Sequence, residues 1–162
     1  MKQAVQDALN EQIKHELSSA YVYLSMCAHF EAEKLPGFAR WMRVQAQEEL
    51  GHAMRLFDYI NQRGGRVILQ AVEQPPHEFS APLSIFEQAL EHETKVTQLI
   101  ERLYETAVQH KDYATQVEVQ WFITEQVEEE DSASLIVDQL KMAGNDRAAL
   151  LMLDRQLGAR TE

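Results

Sequence analysis

The sequence predicts an all-α protein: an antiparallel four-helix bundle with one long crossover, followed by a short C-terminal fifth helix. Three observations carry that expectation. Apolar residues recur at steps of three and four along four long segments, the spacing of a helix with one buried face. All four prolines, Pro36, Pro75, Pro76 and Pro82, lie at or before the middle of the chain, between segments rather than inside them. The segments also match in length: about 27 residues at 1.5 Å per residue gives rods of roughly 40 Å that can lie side by side.

The first helix is expected from about Gln3 to Lys34, stopping before Leu35-Pro36-Gly37 because a residue ahead of proline avoids the helical region. The second runs from about Phe38 to Arg63 and is ended by Gly64-Gly65. A helix-poor stretch follows through Val67-Ile68-Leu69, Pro75-Pro76 and Pro82. Its roughly 19 residues, at about 3.3 Å each, are enough to cross the full length of a bundle. The third helix is expected from Leu83 to about His110, and a short break at Lys111-Asp112 separates it from a fourth, Tyr113 to Ala143. Gly144-Asn145-Asp146 reads as the stop of that helix and the cap of a fifth, Arg147 to Leu157. Tight links on either side of a long connection give two hairpins joined by a crossover.

A chain of 162 residues is expected to form a single domain, 1–162. Its 45% hydrophobic content is spread at helical spacing with no run long enough for a membrane span. The first residues carry no basic-then-apolar secretory pattern, and Cys27 is the only cysteine, which excludes an internal disulfide or a thiolate metal cluster. A reducing cytoplasm fits best. The net charge of −11 argues against nucleic acid and is compatible with attracting cations.

Each buried stripe is interrupted. The first helix reads Leu9, Ile13, Glu16, Ala20, Tyr23, Cys27, and the second reads Phe38, Met42, Gln45, Glu49, His52, Leu56, Tyr59. The third gives Phe86, Leu90, Glu93, Thr97, Ile100, Tyr104, and the fourth gives Val119, Phe122, Gln126, Glu129, Ala133, Ile136, Leu140. One glutamate on a stripe is ordinarily an edge residue that reaches water. Here all four helices break near their midpoints, so packing them side by side brings Glu16, Glu49, His52, Glu93 and Glu129 to one level. No Lys or Arg lies on these stripes, and buried carboxylates without counterions cost several kcal/mol each or take up protons. Cations resolve the conflict. Carboxylates with one imidazole suit iron or manganese, and also hold zinc. Tyr23, two turns from Glu16, is either core filling or a phenol that hydrogen-bonds a ligand carboxylate.

The segment Ala46-Gln47-Glu48-Glu49-Leu50-Gly51-His52, with its Glu-x-x-His, and the segment Trp121-Phe122-Ile123-Thr124-Glu125-Gln126-Val127-Glu128-Glu129-Glu130 resemble the bacterial non-haem ferritins, and the resemblance covers nearly the whole chain. It implies that Glu16, Glu49, His52, Glu93 and Glu129 hold a ferroxidase iron pair, with Gln126 and Tyr23 beside it. It also implies a third iron site from Glu48, Glu125 and Glu128, with Glu129 shared. Glu130 and Asp131 read as a solvated acidic face. The substrates implied are Fe(II) and O2 or H2O2, and the assembly implied is a homo-oligomeric cage of twenty-four subunits storing Fe(III) oxide-hydroxide, with the fifth helix (Leu150, Leu151, Leu153, Leu157) packed against neighbours; on residues alone, a cap folded onto its own bundle is an equal reading of that helix. Trp121 is a secondary candidate for electron supply, and Glu118 a candidate lining for an iron channel.

Departures from sister families sharpen the expectation. Bacterioferritins place a haem-ligating methionine where this chain has Leu50, so no haem is expected. They and the rubrerythrins carry a second Glu-x-x-His on the fourth helix, whereas Glu129 is followed three residues on by Ser132. That asymmetry favours a site that turns iron over into a store. A di-iron oxidase or peroxidase, and a purely structural bundle, remain the alternatives on residues alone.

Overall fold

The structure is a computed structural model that describes residues 1–161. It contains α1 (Gln3–Ala32), α2 (Pro36–Gln62), α3 (Pro82–Gln109), α4 (Tyr113–Ala143) and α5 (Arg147–Leu157), with no strand among the described residues. None of these helices is long and apolar enough to cross a membrane.

The boundaries differ from the sequence expectation by one or two residues, for local reasons. α2 and α3 start on Pro36 and Pro82 themselves, because proline's preset φ and missing N–H suit the first turn of a helix. α1 ends at Ala32 rather than Lys34: Lys34 turns into the left-handed region (φ 62°) and the Leu35 N–H donates back to the Phe30 carbonyl at 3.0 Å. The same closure ends α2 at Gly64 (φ 66°) and α3 at Lys111 (φ 53°).

α1 packs along α2, α3 along α4, and α1 lies beside α3. α2 and α4 meet through side chains: Tyr59 and Thr115 hydroxyls at 2.9 Å, Arg63 with Asp112 at 3.0 Å, and Arg55 with Glu118 at 2.5 Å. The crossover follows α1. The Arg66 and Ile68 amides donate to the Gln6 and Asn10 side chains, and farther along Ser25 donates to the Pro76 carbonyl at 2.6 Å.

The interior falls into two apolar clusters. One gathers Tyr23, Phe30, Phe38, Trp41, Met42, Phe86, Ile136 and Leu140, with Phe30, Phe38 and Phe86 ring centroids 5.2–6.0 Å apart. The other gathers Val5, Leu9, Ile13, Leu56, Ile60, Ile100, Val119 and Phe122. Each fully buried large side chain contributes about 1.5–3 kcal/mol. Chain order places the interrupting residues between the two clusters. Glu16 falls between Ile13 and Tyr23, Glu49 and His52 fall between Met42 and Leu56, Glu93 between Phe86 and Ile100, and Gln126 and Glu129 between Phe122 and Ile136.

α5 folds back onto its own bundle. Leu153 and Leu157 are buried there, and buried Asp154 accepts from the Gly37 and Phe38 amides at 2.9 Å each, capping the start of α2. The apolar surface that the sequence directs toward neighbours is thus divided: Leu153 and Leu157 serve this chain, while Leu151 and Met152 face outward. Gly37 permits the docking, since a Cβ there would lie 1.6 Å from the Asp154 carbonyl oxygen.

Candidate metal centre

The polar layer is built one turn at a time. On α1 the helical period carries Glu16 onto the line of Leu9, Ile13 and Ala20; on α2 it stacks His52 one turn above Glu49. All three are buried, and one ligand atom from each lies within 4.8 Å of the others. His52 Nδ1 is 3.6 Å from Glu49 Oε2 and 3.9 Å from Glu16 Oε2. Gln12 fixes the other Glu16 oxygen, donating at 2.8 Å. Glu16 Oε2 itself has no hydrogen-bond partner although it is fully buried. Buried acceptors are otherwise satisfied almost without exception, and a cation between Glu16, Glu49 and His52 would satisfy this one.

Glu93 and Glu129 extend the cluster from α3 and α4. Tyr23 donates its phenol proton to Glu93 Oε1, and Gln126 Nε2 donates to Glu93 Oε2 at 3.2 Å. Gln45 Nε2 donates to Glu129 Oε2 at 2.6 Å and to Glu49 Oε1 at 3.2 Å. Tyr23 therefore holds a carboxylate, the second of the two readings its position allowed. Its ring is fully buried, edge-on to Trp41 and His92.

The electrostatics follow from crowding. Burial first, and then the Glu49 carboxylate, push Glu16 well above the ordinary carboxylate range. Glu49 is raised well above it by burial and by Glu93 and Glu129. Burial also raises Glu93, against the bonds from Tyr23 and Gln126, and with Glu93 it pushes Glu129 up to about 7. Burial and the adjacent Glu93 raise Tyr23 well above the usual phenol value, so it stays a donor. Without a cation these groups share protons; a cation displaces them.

The outlying carboxylates are not gathered into this layer. Glu48 is half-buried and paired with Arg160 of the C-terminal tail, Glu125 is half-buried, and Glu128 is exposed. Glu130 departs from the solvated face expected of it, being half-buried and accepting from Thr97 Oγ1 at 2.5 Å, whereas Asp131 is exposed. Trp121 packs edge-on against His52, with ring centroids 5.4 Å apart. Glu118 is engaged by Arg55, whose guanidinium sits 3.9 Å above the Trp121 ring.

Comparison with known proteins bears on this arrangement directly. Residues 6–143 match the family model of the ferritin-like domain. Over 160 residues the chain is 44% identical to a bacterial non-heme ferritin of Bacteroides fragilis, covering 99% of each chain. The chain belongs to the bacterial non-heme ferritin family. A second relative of the same description, from Staphylococcus aureus, is 40% identical over 155 residues, 96% of this chain and 93% of its own. Among solved structures, an open-pore ferritin of Archaeoglobus fulgidus superposes with a TM-score of 0.98 at 52% identity, covering 99% of this chain and 98% of its own. A humanized archaeal ferritin gives 0.99 at 49% identity, covering 100% and 99%.

Within this ferritin-family chain, several residues at the centre were not singled out by sequence. Gln12 lies one turn before Glu16 and just off the drawn stripe. Gln45 lies on the stripe but carries no ionisable group to mark it. His92, beside Glu93, bonds Ser19 Oγ at 2.8 Å, and burial lowers its pKa to about 4, leaving it a neutral brace against Tyr23. Arg160 follows the last helix and has no periodic signal at all. Ser132, at the position of the missing second histidine, is exposed.

Proposed function

We propose that this chain is the subunit of an iron-storage ferritin with ferroxidase activity. It binds two Fe(II) ions as substrates at Glu16, Glu49, His52, Glu93 and Glu129, oxidises them with O2 or H2O2, and stores Fe(III) oxide-hydroxide inside a twenty-four-subunit homo-oligomeric cage in the cytoplasm. The observation that carries this reading is the layer of buried carboxylates around His52, with one Glu16 oxygen unsatisfied. Family membership supports storage as the outcome.

Glu16 and His52 form one end of the site, and Glu93 and Glu129 the other. Glu49 stands between them, 3.6 Å from His52 Nδ1 and close enough to Glu93 and Glu129 to be raised by their charges, so its carboxylate would serve both ions. Gln45, Gln12, Gln126 and Tyr23 donate to the carboxylates and hold their orientation. Entry of two dications expels the protons that the clustered carboxylates share. Each Fe(II) then gives up one electron; O2 takes two electrons and two protons to become H2O2, or H2O2 takes two and two to become water. Hard anionic oxygens favour the ferric state and lower the barrier to its formation. Glu48, Glu125 and Glu128, with Glu129, form a third site nearer the surface, where an ion would have to displace the Arg160 guanidinium from Glu48.

The test is anaerobic loading with increasing Fe(II) per chain, followed by air, with absorbance and particle size recorded for wild type and His52→Ala. Hundreds of irons per cage, with fast oxidation lost in His52→Ala, is the expected result. Saturation near two irons per chain would instead indicate a di-iron enzyme, and no specific uptake would overturn the metal reading.

A further inference from the structure

The buried layer does not end at the bundle. Gln45 is fully buried, and its amide oxygen accepts from Arg160 Nη1 at 2.9 Å while its Nε2 donates to Glu129 and Glu49. We propose that Arg160 is a positioning residue for the candidate metal centre, fixing the Gln45 amide so that it holds Glu49 and Glu129. The inference rests on the reading of that centre given above.

The two ends of a glutamine amide are nearly the same shape and opposite in hydrogen-bonding character, so its partners decide which way it points. A guanidinium donates and never accepts; ionised carboxylates accept and never donate. Between Arg160 on one side and Glu49 and Glu129 on the other, only one orientation of Gln45 satisfies every contact. Without Arg160, Gln45 Oε1 is a buried acceptor that has lost its donor, so the amide shifts to recover one and loosens its hold on the two carboxylates.

Arg160 is itself held from several sides. Its second nitrogen pairs with Glu48, its guanidinium lies 4.7 Å above the Trp41 ring, and its carbonyl accepts from Arg40 Nε at 3.2 Å. The docking of α5 delivers it there, through the Asp154 cap on α2 and the close passage of Gly158 against Gly37. The tail beyond the last helix is thereby coupled to the geometry of the metal ligands, one hydrogen bond removed.

Charge alone predicts the opposite effect: removing a cation near the site should tighten metal binding. The test uses the assembled, metal-free protein titrated anaerobically with Co(II), following both affinity and the ligand-field bands, in wild type, Arg160→Met, Gln45→Met and the double variant. We expect Arg160→Met to weaken the second Co(II) about ten-fold, within the range for residues that orient ligands, and to alter its bands, while adding no further loss in the Gln45→Met background. A loss of equal size in both backgrounds, no change, or tighter binding would overturn the inference. Wild type that failed to bind two Co(II) per subunit would overturn the reading of the centre instead.

Discussion

Tyr23 and Glu129 show how single residues set the behaviour of the site. Tyr23→Phe keeps the ring packed against Trp41 and His92 but removes the donor to Glu93. Because orienting partners of metal ligands are worth about 10–100-fold, Fe(II) oxidation measured by stopped-flow absorbance should slow by about ten-fold, while the unfolding midpoint barely moves. The raised carboxylates make a second prediction, for the metal-free protein. A group whose pKa is raised on folding contributes stability that is full below its unfolded value, 4.5, and lost as pH rises through its folded value, about 7 for Glu129. This cluster should therefore make the metal-free protein less stable as pH rises across that window, read from urea midpoints. Glu129→Gln should flatten the dependence. Fe(II) or another dication should reverse it, since binding releases the same protons.

Among the elements, the joints between helices carry the sharper expectations. Gly37→Ala places a methyl 1.6 Å from the Asp154 carbonyl and forces α5 away from the start of α2. The loss of the buried cap and of packing at Leu153 and Leu157 should cost about 2–4 kcal/mol, measured by thermal unfolding, and should expose the tail to proteolysis. The ends of α1 and α3 predict the opposite sign. Lys34 and Lys111 occupy left-handed positions that glycine adopts without strain. Lys34→Gly should stabilise the protein by about 0.5–1 kcal/mol, and an unchanged or lowered midpoint would show that the turn carries no strain.

For the whole molecule, the division of α5 into a buried and an exposed apolar face links the fold to the proposed cage. Truncation after Gly144 uncovers the apolar end around Trp41 and Leu140 and removes the outward Leu151 and Met152. We expect sedimentation analysis to show no full-size cage; a full-size cage from the truncated chain would show that assembly does not depend on α5. The truncation also removes Arg160, so metal affinity should be compared with that of Arg160→Met before any effect is assigned to assembly.

Sequence alone determined the helices and the interruptions within them. Stripes such as Leu9, Ile13, Glu16, Ala20, Tyr23 and Val119, Phe122, Gln126, Glu129, Ala133 are buried as their period requires, because a helix turns its residues at a fixed angle whatever surrounds it. The α3 stripe was only partly legible: Leu90, Thr97 and Tyr104 are half-buried, while Ile85, Ala89, Val96 and Leu103 complete the face, since where a helix turns its apolar stripe depends on the neighbours it meets. Tertiary structure decided the orientation of the carboxylates. Gln12, Gln45 and Arg160 reach Glu16, Glu49, Glu129 and Glu48 through side chains whose direction no spacing rule specifies, and Arg160 does so across more than a hundred residues of chain. Burial energy follows the local period and can be read along the chain, whereas a hydrogen bond between distant segments exists only once packing has fixed both ends.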